Sequence, residues 1–390
     1  MTIKIHGVAD AAYGGVVDEF VRNFTERGDV GAAACMVVDG RVVVDVWAGF
    51  ADRRMGTAWR RNTLGLVFSC TKGILAVCAH QLIEQGRLAL AAPVAAYWPE
   101  FADGGKESVT VGDLLSHRAG LPVLDVELTV EEVVGWDAGA WALAQQKPHW
   151  QPGTAHEYHP ITYGWLVGEL VRRVTGLPVG RYFRERIASP LGLDTWIGLP
   201  PNERGRVSHV EQPPSNDRPE YPAPHSPRWR AITLNGLWPV EMVSKGTSLG
   251  FNDARLQAAD LPAVNAITTA RSLARFWSAT VTETDGVRLL QPETVRRATE
   301  PQSEGEPLYG GPPPWHRFGY GFQLDSPARP MLSSRSFGHD SAGGQVGFAD
   351  PDLRAGFAYV PNRLGGAHDQ RARRMTMAAR QVLGLPPVIV

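Results

Sequence analysis

Ser69-Cys70-Thr71-Lys72 places a hydroxyl and an amine three residues apart. On a helix that spacing puts both side chains on one face, so Lys72 can reach the Ser69 oxygen. A serine hydroxyl is a weak nucleophile until a neighbouring group takes its proton. A lysine held among apolar neighbours loses part of its preference for the charged form and becomes such an acceptor. At a helix N-terminus, Ser69 would also feel a partial positive charge that favours a developing anion. The chemistry spelled by this pair is acyl transfer through Ser69. The same spacing also describes a serine that caps a helix, with a solvated lysine one turn later. Against that plainer reading, the pattern occurs once and uses one of only five lysines.

Two other patterns compete. Gly246-Thr247-Ser248-Leu249-Gly250 fits Gly-x-Ser-x-Gly, a nucleophile elbow that needs a strand before it and a helix after it. Pro239, Asn252 and a proline-rich approach surround it, so Ser248 is not expected to be the nucleophile. His156-Glu157-Tyr158-His159 resembles a metal cluster but lacks the His-Glu-x-x-His spacing, and further ligands are not evident. No metal and no organic cofactor is expected.

The elements that must position Ser69 and Lys72 can be read from periodicity. Leu66-Val67-Phe68 leads into Ser69, and Ile74, Leu75, Val77, Cys78, Leu82 and Ile83 mark a largely buried helix that stops at Gly86. Earlier, Val16, Val17, Phe20, Val21 and Phe24 predict a helix over about 12–27. Residues 32–38 and 41–47 flank Asp39-Gly40, which predicts a hairpin with a type I′ turn. Short helices are predicted at 111–116 and 161–174, the latter ending at Gly176, and another over 269–279. The proline-rich stretch 200–265 leaves little room for regular structure, and a stretch that long usually walls a pocket. Strands are predicted at 320–324, 344–349 and 355–360, then a closing helix over about 369–383. Strands at both ends and helices between them fit an α/β sheet domain of 1–68 and 270–390 around a mainly helical domain of 69–269.

Composition narrows the function classes. Apolar residues make up 43% and charged residues 20% of 390 residues, which is globular rather than disordered. A net charge of −1 argues against nucleic acid as a partner. No apolar run is long enough to span a membrane. The first twenty residues lack a basic start followed by an apolar stretch, so a secretory signal is not expected and a cytoplasmic location is. Cys35, Cys70 and Cys78 lack metal-ligand spacing and read as reduced, buried thiols.

Ser-x-x-Lys, followed about 45 residues later by Leu114-Leu115-Ser116-His117-Arg118-Ala119-Gly120-Leu121-Pro122, resembles the serine β-lactamase and penicillin-binding-protein superfamily. More narrowly, the chain is similar to the class C β-lactamase-like, or family VIII, carboxylesterases. Trp150-Gln151-Pro152-Gly153-Thr154 before Tyr158, then Phe337-Gly338-His339, Gly343-Gly344 and Asp350-Pro351, fall in the family's order. The resemblance runs from about residue 16 to 362. It implies an antiparallel sheet built from both chain ends, flanking helices, and an active site at the junction with the inserted helical domain.

The resemblance also implies roles. Ser69 is the nucleophile, and Lys72 and Tyr158 share its proton. Tyr158 matches the tyrosine of Tyr-x-Asn, with a phenol expected to be lowered by a nearby Lys⁺. Pro160 stands where the asparagine would bind a substrate carbonyl. His339-Asp340-Ser341 matches the place of Lys-Thr-Gly, so His339 and Ser341 would touch substrate, and Ser69 and Ala342 N–H groups would form the oxyanion hole. The expected activity is hydrolysis of small carboxylic esters through an acyl-Ser69 intermediate. A β-lactamase, a D-peptidase, a linear-amide hydrolase, an acyltransferase and a catalytically silent binding protein remain alternatives on the same scaffold.

Overall fold

The computed structural model describes residues 3–243, 249–366 and 369–386. The Gly246–Ser248 part of the competing elbow therefore lies outside the described residues. A nine-stranded antiparallel sheet draws its strands from both ends of the chain. In spatial order they are His6–Ala9, Arg41–Asp52, Gly31–Val38, Ala355–Pro361, Val346–Asp350, Phe337–Asp340, Gln323–Leu324 and Arg317–Phe318, with Thr57–Ala58 paired to Arg41–Asp52. The two ends meet where Gly31–Val38 pairs with Ala355–Pro361, Met36 opposite Phe357 and Ala34 opposite Tyr359. Asp39 (φ 50°) and Gly40 (φ 74°) take the positive angles that a two-residue hairpin turn needs.

Alternation along these strands separates two cores. Ala34, Met36, Phe357 and Tyr359 pack with Val16, Phe20, Met375 and Ala379 from the helices Gly14–Thr25 and Arg371–Val382. Cys35, Val37, Ala358 and Val360 belong to the other core, with Leu273, Ala274 and Trp277 of the helix Ala270–Val281. The helix Cys70–Glu84 lies in this second core and is buried nearly all round, which its apolar sequence demands. Trp277 wedges beside it because two neighbours are glycines. A Cβ at Gly73 or Gly347 would come within 2.6 or 2.4 Å of the indole.

The helices at Gly14–Thr25, Val111–Leu115, Thr162–Thr175 and Arg371–Val382 lie close to their predicted places. The strand predicted over 320–324 is shorter, because Gly321 (φ 91°) turns the chain between Arg317–Phe318 and Gln323–Leu324. A small sheet of Gly65–Leu66, Ile267–Thr268 and Thr195–Trp196 has too few residues to show a period. The 200–265 stretch is more regular than its prolines suggest. Pro201 and Pro227 each sit in the first turn of a short helix, where a fixed φ helps rather than hinders. Among the described residues no helix is long and apolar enough to cross a membrane.

The closing helix is anchored by a buried ion cluster. Arg371 donates to Asp29 at 2.5 Å and to Asp369 at 2.7 Å, and Tyr359 donates to the same Asp29. The Arg371 and Asp29 side chains are 2% and 0% exposed. Arg371→Met should therefore strand a buried carboxylate and lower stability by about 3–5 kcal/mol. Urea unfolding checks this; a midpoint unchanged from the parent would refute it.

Candidate active site

The short strand Gly65–Leu66 delivers the chain to a turn in which Phe68 has φ 41°, a conformation that L residues seldom adopt. Phe68 is buried and meets the Phe251 ring edge-on, centroids 5.2 Å apart, so packing holds the strained turn. Ser69 follows with helical angles, and its side chain does not cap the helix Cys70–Glu84. Its oxygen is thus left to the cavity beside it.

Lys72 is not the solvated lysine of the plainer reading. It is fully buried, its Nζ 3.2 Å from Ser69 Oγ and donating to Ala263 O at 3.0 Å. Burial pushes its ammonium well below the usual lysine range, opposed only in part by Cys70 and Asp340. A neutral amine can donate to Ala263 and still offer its lone pair to the Ser69 proton.

The Lys72 Nζ lies 5.0 Å from the centre of the Tyr158 ring, and the phenol is close enough to the Ser69 side chain for the two to act on each other's protons. The expectation that a lysine cation lowers this phenol needs correction. Burial pushes it above its ordinary value, more than the Ser69 side chain lowers it. Tyr158 is therefore a proton donor at rest.

Two histidines fix the segment that carries Tyr158. His159 donates from Nδ1 to Glu157 O at 2.6 Å and accepts the Leu121 N–H on Nε2 at 3.1 Å. Both ring nitrogens of His159 are thereby used by the backbone. His117 Nδ1 accepts the His159 N–H at 3.3 Å, and its ring lies 4.9 Å from that of Tyr158. His117 also has φ 63°, a second strained residue beside the site.

The strand Phe337–Asp340 borders Ser69. Cys70 Sγ donates to His339 O at 3.1 Å, tying the serine helix to that strand. Among the described residues, neither the Ser69 N–H nor the Ala342 N–H finds an acceptor, and both residues line the cavity. His339 donates from Nδ1 to Asp340 O at 2.6 Å, which leaves Nε2 as a bare, buried acceptor without a partner. Burial, with Lys72 nearby, brings its pKa down to about 4, so the imidazole is neutral. Ser341 reaches the cavity wall, but its hydroxyl donates inward to Gln345 Oε1.

The cavity holds about 500 Å³, a size suited to a small molecule. Trp238, Ile232, Met242 and Phe251, from the proline-rich stretch, form an apolar wall. Tyr309, Trp315 and His316, from a loop that gave no sequence signal, form another. Two arginines line it, and each meets a carboxylate. Arg228 Nε lies 3.5 Å from Glu157 Oε1, and Arg329 pairs with Asp340. Phe68, His117, Arg329 and Asp340 were not singled out from the sequence. Local patterns include only His117, inside the Ser116-His117-Arg118 stretch, and Asp340, inside His339-Asp340-Ser341.

Comparison with known proteins bears out the family resemblance and the fold. The family model described as Beta-lactamase matches residues 17–381. Esterase/beta-lactamase LipL of Mycobacterium tuberculosis is 33% identical over 366 residues, covering 93% of this chain and 83% of that protein. A penicillin-binding protein homologue from Caulobacter crescentus superposes with a TM-score of 0.86 at 35% identity, over 97% of this chain and 100% of the other. A family VIII carboxylesterase superposes equally well, TM-score 0.86, at 31% identity over 97% and 100% of the two chains.

Proposed function

The chain belongs to the beta-lactamase family, and from that premise we propose that it hydrolyses small carboxylic esters through an acyl-Ser69 intermediate. Ser69 Oγ attacks the ester carbonyl carbon while neutral Lys72 takes its proton. The Ser69 and Ala342 N–H groups receive the oxyanion. Collapse breaks the bond to the alcohol oxygen, which takes a proton from Tyr158, and Lys72 returns one to Tyr158. Water then attacks the acyl-serine by the same route and frees the acid and Ser69. The Nε2 lone pair of His339 is suited to accept a hydrogen bond from substrate, whereas Ser341 contributes shape and holds the strand end through Gln345. The reading includes a cytoplasmic location, supported by three buried, unpaired thiols.

The observation that carries the reading is the buried Lys72, its ammonium pushed below the usual lysine range by burial, at 3.2 Å from Ser69 Oγ and beside a cavity of small-molecule size. The ester preference rests on two replacements. Pro160 offers no side-chain amide, and neutral His339 offers no cation for a substrate carboxylate. Each missing polar anchor costs about 1–3 kcal/mol, so two of them amount to roughly 10²-fold or more against a β-lactam. A nitrophenyl ester of a short acid needs only the nucleophile and the oxyanion hole. On one preparation, kcat/KM for p-nitrophenyl butyrate should exceed that for nitrocefin by about that factor. A nitrocefin value equal to or above the ester value would make this chain a β-lactamase instead.

A further inference from the structure

Arg329 and Asp340 both line the cavity that holds Ser69, and their side chains form an ion pair there. The pair is partly open: the Arg329 side chain is 41% exposed and that of Asp340 is 14% exposed. The guanidinium is not saturated, because its Nε is buried without a hydrogen-bond partner. The side chain is nevertheless partly exposed, and a guanidinium carries five N–H donors, so its exposed edge can meet a second acceptor.

Asp340 is rigidly placed. Its N–H donates to Gln323 Oε1 at 2.9 Å, its carbonyl accepts from the His339 ring, and Gln323 Nε2 lies 2.8 Å from His316 Nδ1. Burial raises its carboxyl, but Arg329, His316 and His339 together bring it below its ordinary value. Asp340 thus stays ionised at neutral pH. Its charge also reaches the catalytic groups, since it acts electrostatically on Lys72 and Tyr158.

We propose that Asp340 stands in for a substrate carboxylate: it occupies Arg329 from within the chain and so restricts the enzyme to esters without a negative charge. The proposal rests on the ester-hydrolase reading and adds a specificity-determining residue to it. A second carboxylate brought to Arg329 would meet the fixed charge of Asp340 in a partly desolvated site, where like charges repel strongly. With Asp340 neutralised, the same arginine becomes a receptor for anionic esters. With Arg329 removed, the unpaired Asp340 favours cationic ones.

The test compares three p-nitrophenyl esters of one chain length: the hydrogen adipate ester, its neutral isostere with an isopropyl group in place of the carboxylate, and its trimethylammonium counterpart. The parent should prefer the neutral ester to the anionic one. Asp340→Asn should raise the anionic-to-neutral ratio of kcat/KM by at least about tenfold. The double variant Asp340→Asn with Arg329→Gln should lose that gain. Arg329→Gln alone should shift preference toward the cationic ester. An unchanged ratio in Asp340→Asn, or a gain that survives loss of Arg329, overturns the proposal. Binding of the matching p-nitroanilides to these variants in a Ser69→Ala background, read by calorimetry, separates the two ideas. The same order of preference there, without turnover of any ester, would reject the hydrolase reading and keep the charge selection; no preference there would reject the charge selection alone.

Discussion

Ser69→Ala should leave a folded protein whose kcat on p-nitrophenyl butyrate is lower by about 10⁴-fold or more. The size follows from what the side chain does. Without Oγ no acyl-enzyme forms, and the remaining donors can only bind and polarise the ester. Folding should be untouched, because Ser69 does not cap its helix and its hydroxyl faces the cavity. A fluorophosphonate should label the parent once, and intact mass with peptide mapping should place the adduct on Ser69. Ser248→Ala should keep most of the activity and the label. Labelling lost only in the Ser248 variant would transfer the nucleophile to the Gly-x-Ser-x-Gly stretch.

Lys72→Ala and Tyr158→Phe should each lower kcat by about 10²-fold or more, the scale of positioned proton transfer. Their combination should cost far less than the product of the two, because both serve one proton route. Lys72→Arg should be no better than Lys72→Ala, since a guanidinium stays charged and cannot accept the Ser69 proton. The sign of the pH dependence follows from burial. Lys72 must be neutral to act, and its pKa is lowered, so parent kcat should rise with pH through a point below the ordinary lysine range. The phenol, raised by burial, stays protonated over that span. A Tyr158→Phe enzyme with near-parent kcat would take Tyr158 out of the route, and a parent kcat that rose only above the ordinary lysine range would take out the neutral Lys72.

Local patterns were the legible ones. Ser69 and Lys72 are one helical turn apart, so their 3.2 Å approach follows from the helix alone. Asp39-Gly40 carries its turn in its own backbone preference. The two-sided strands Gly31–Val38 and Ala355–Pro361 read as apolar runs, and their pairing across the chain follows from the family resemblance rather than from their spacing. Tyr158 likewise is one tyrosine among nine until the resemblance marks it. Other features escape any window of sequence. The positive φ of Phe68 is imposed by packing on Phe251, far along the chain. Asp340 lies inside the His339-Asp340-Ser341 match, but nothing in the sequence marks Arg329 as its partner until the fold brings both to one cavity. The 305–316 wall has glycines and prolines but no period, so its place over the site is a tertiary result.

The pairing of Gly31–Val38 with Ala355–Pro361 has a consequence for the newborn chain. A ribosome releases residue 38 long before it makes residue 355. Through most of translation the hairpin of 31–52 has one bonding edge open, and that edge is a template for neighbouring nascent chains. A chaperone that shields it until the last strands emerge would be expected to raise the folded yield. On the proposed mechanism, the same delay would keep Ser69 silent. Until the strand carrying His339 has docked, Cys70 lacks its carbonyl acceptor and the Ala342 N–H is absent from the cavity. With Ser69 as the proposed nucleophile, the polypeptide would emerge as an inert precursor whose reactivity waits for residues 337–342 to be made and docked.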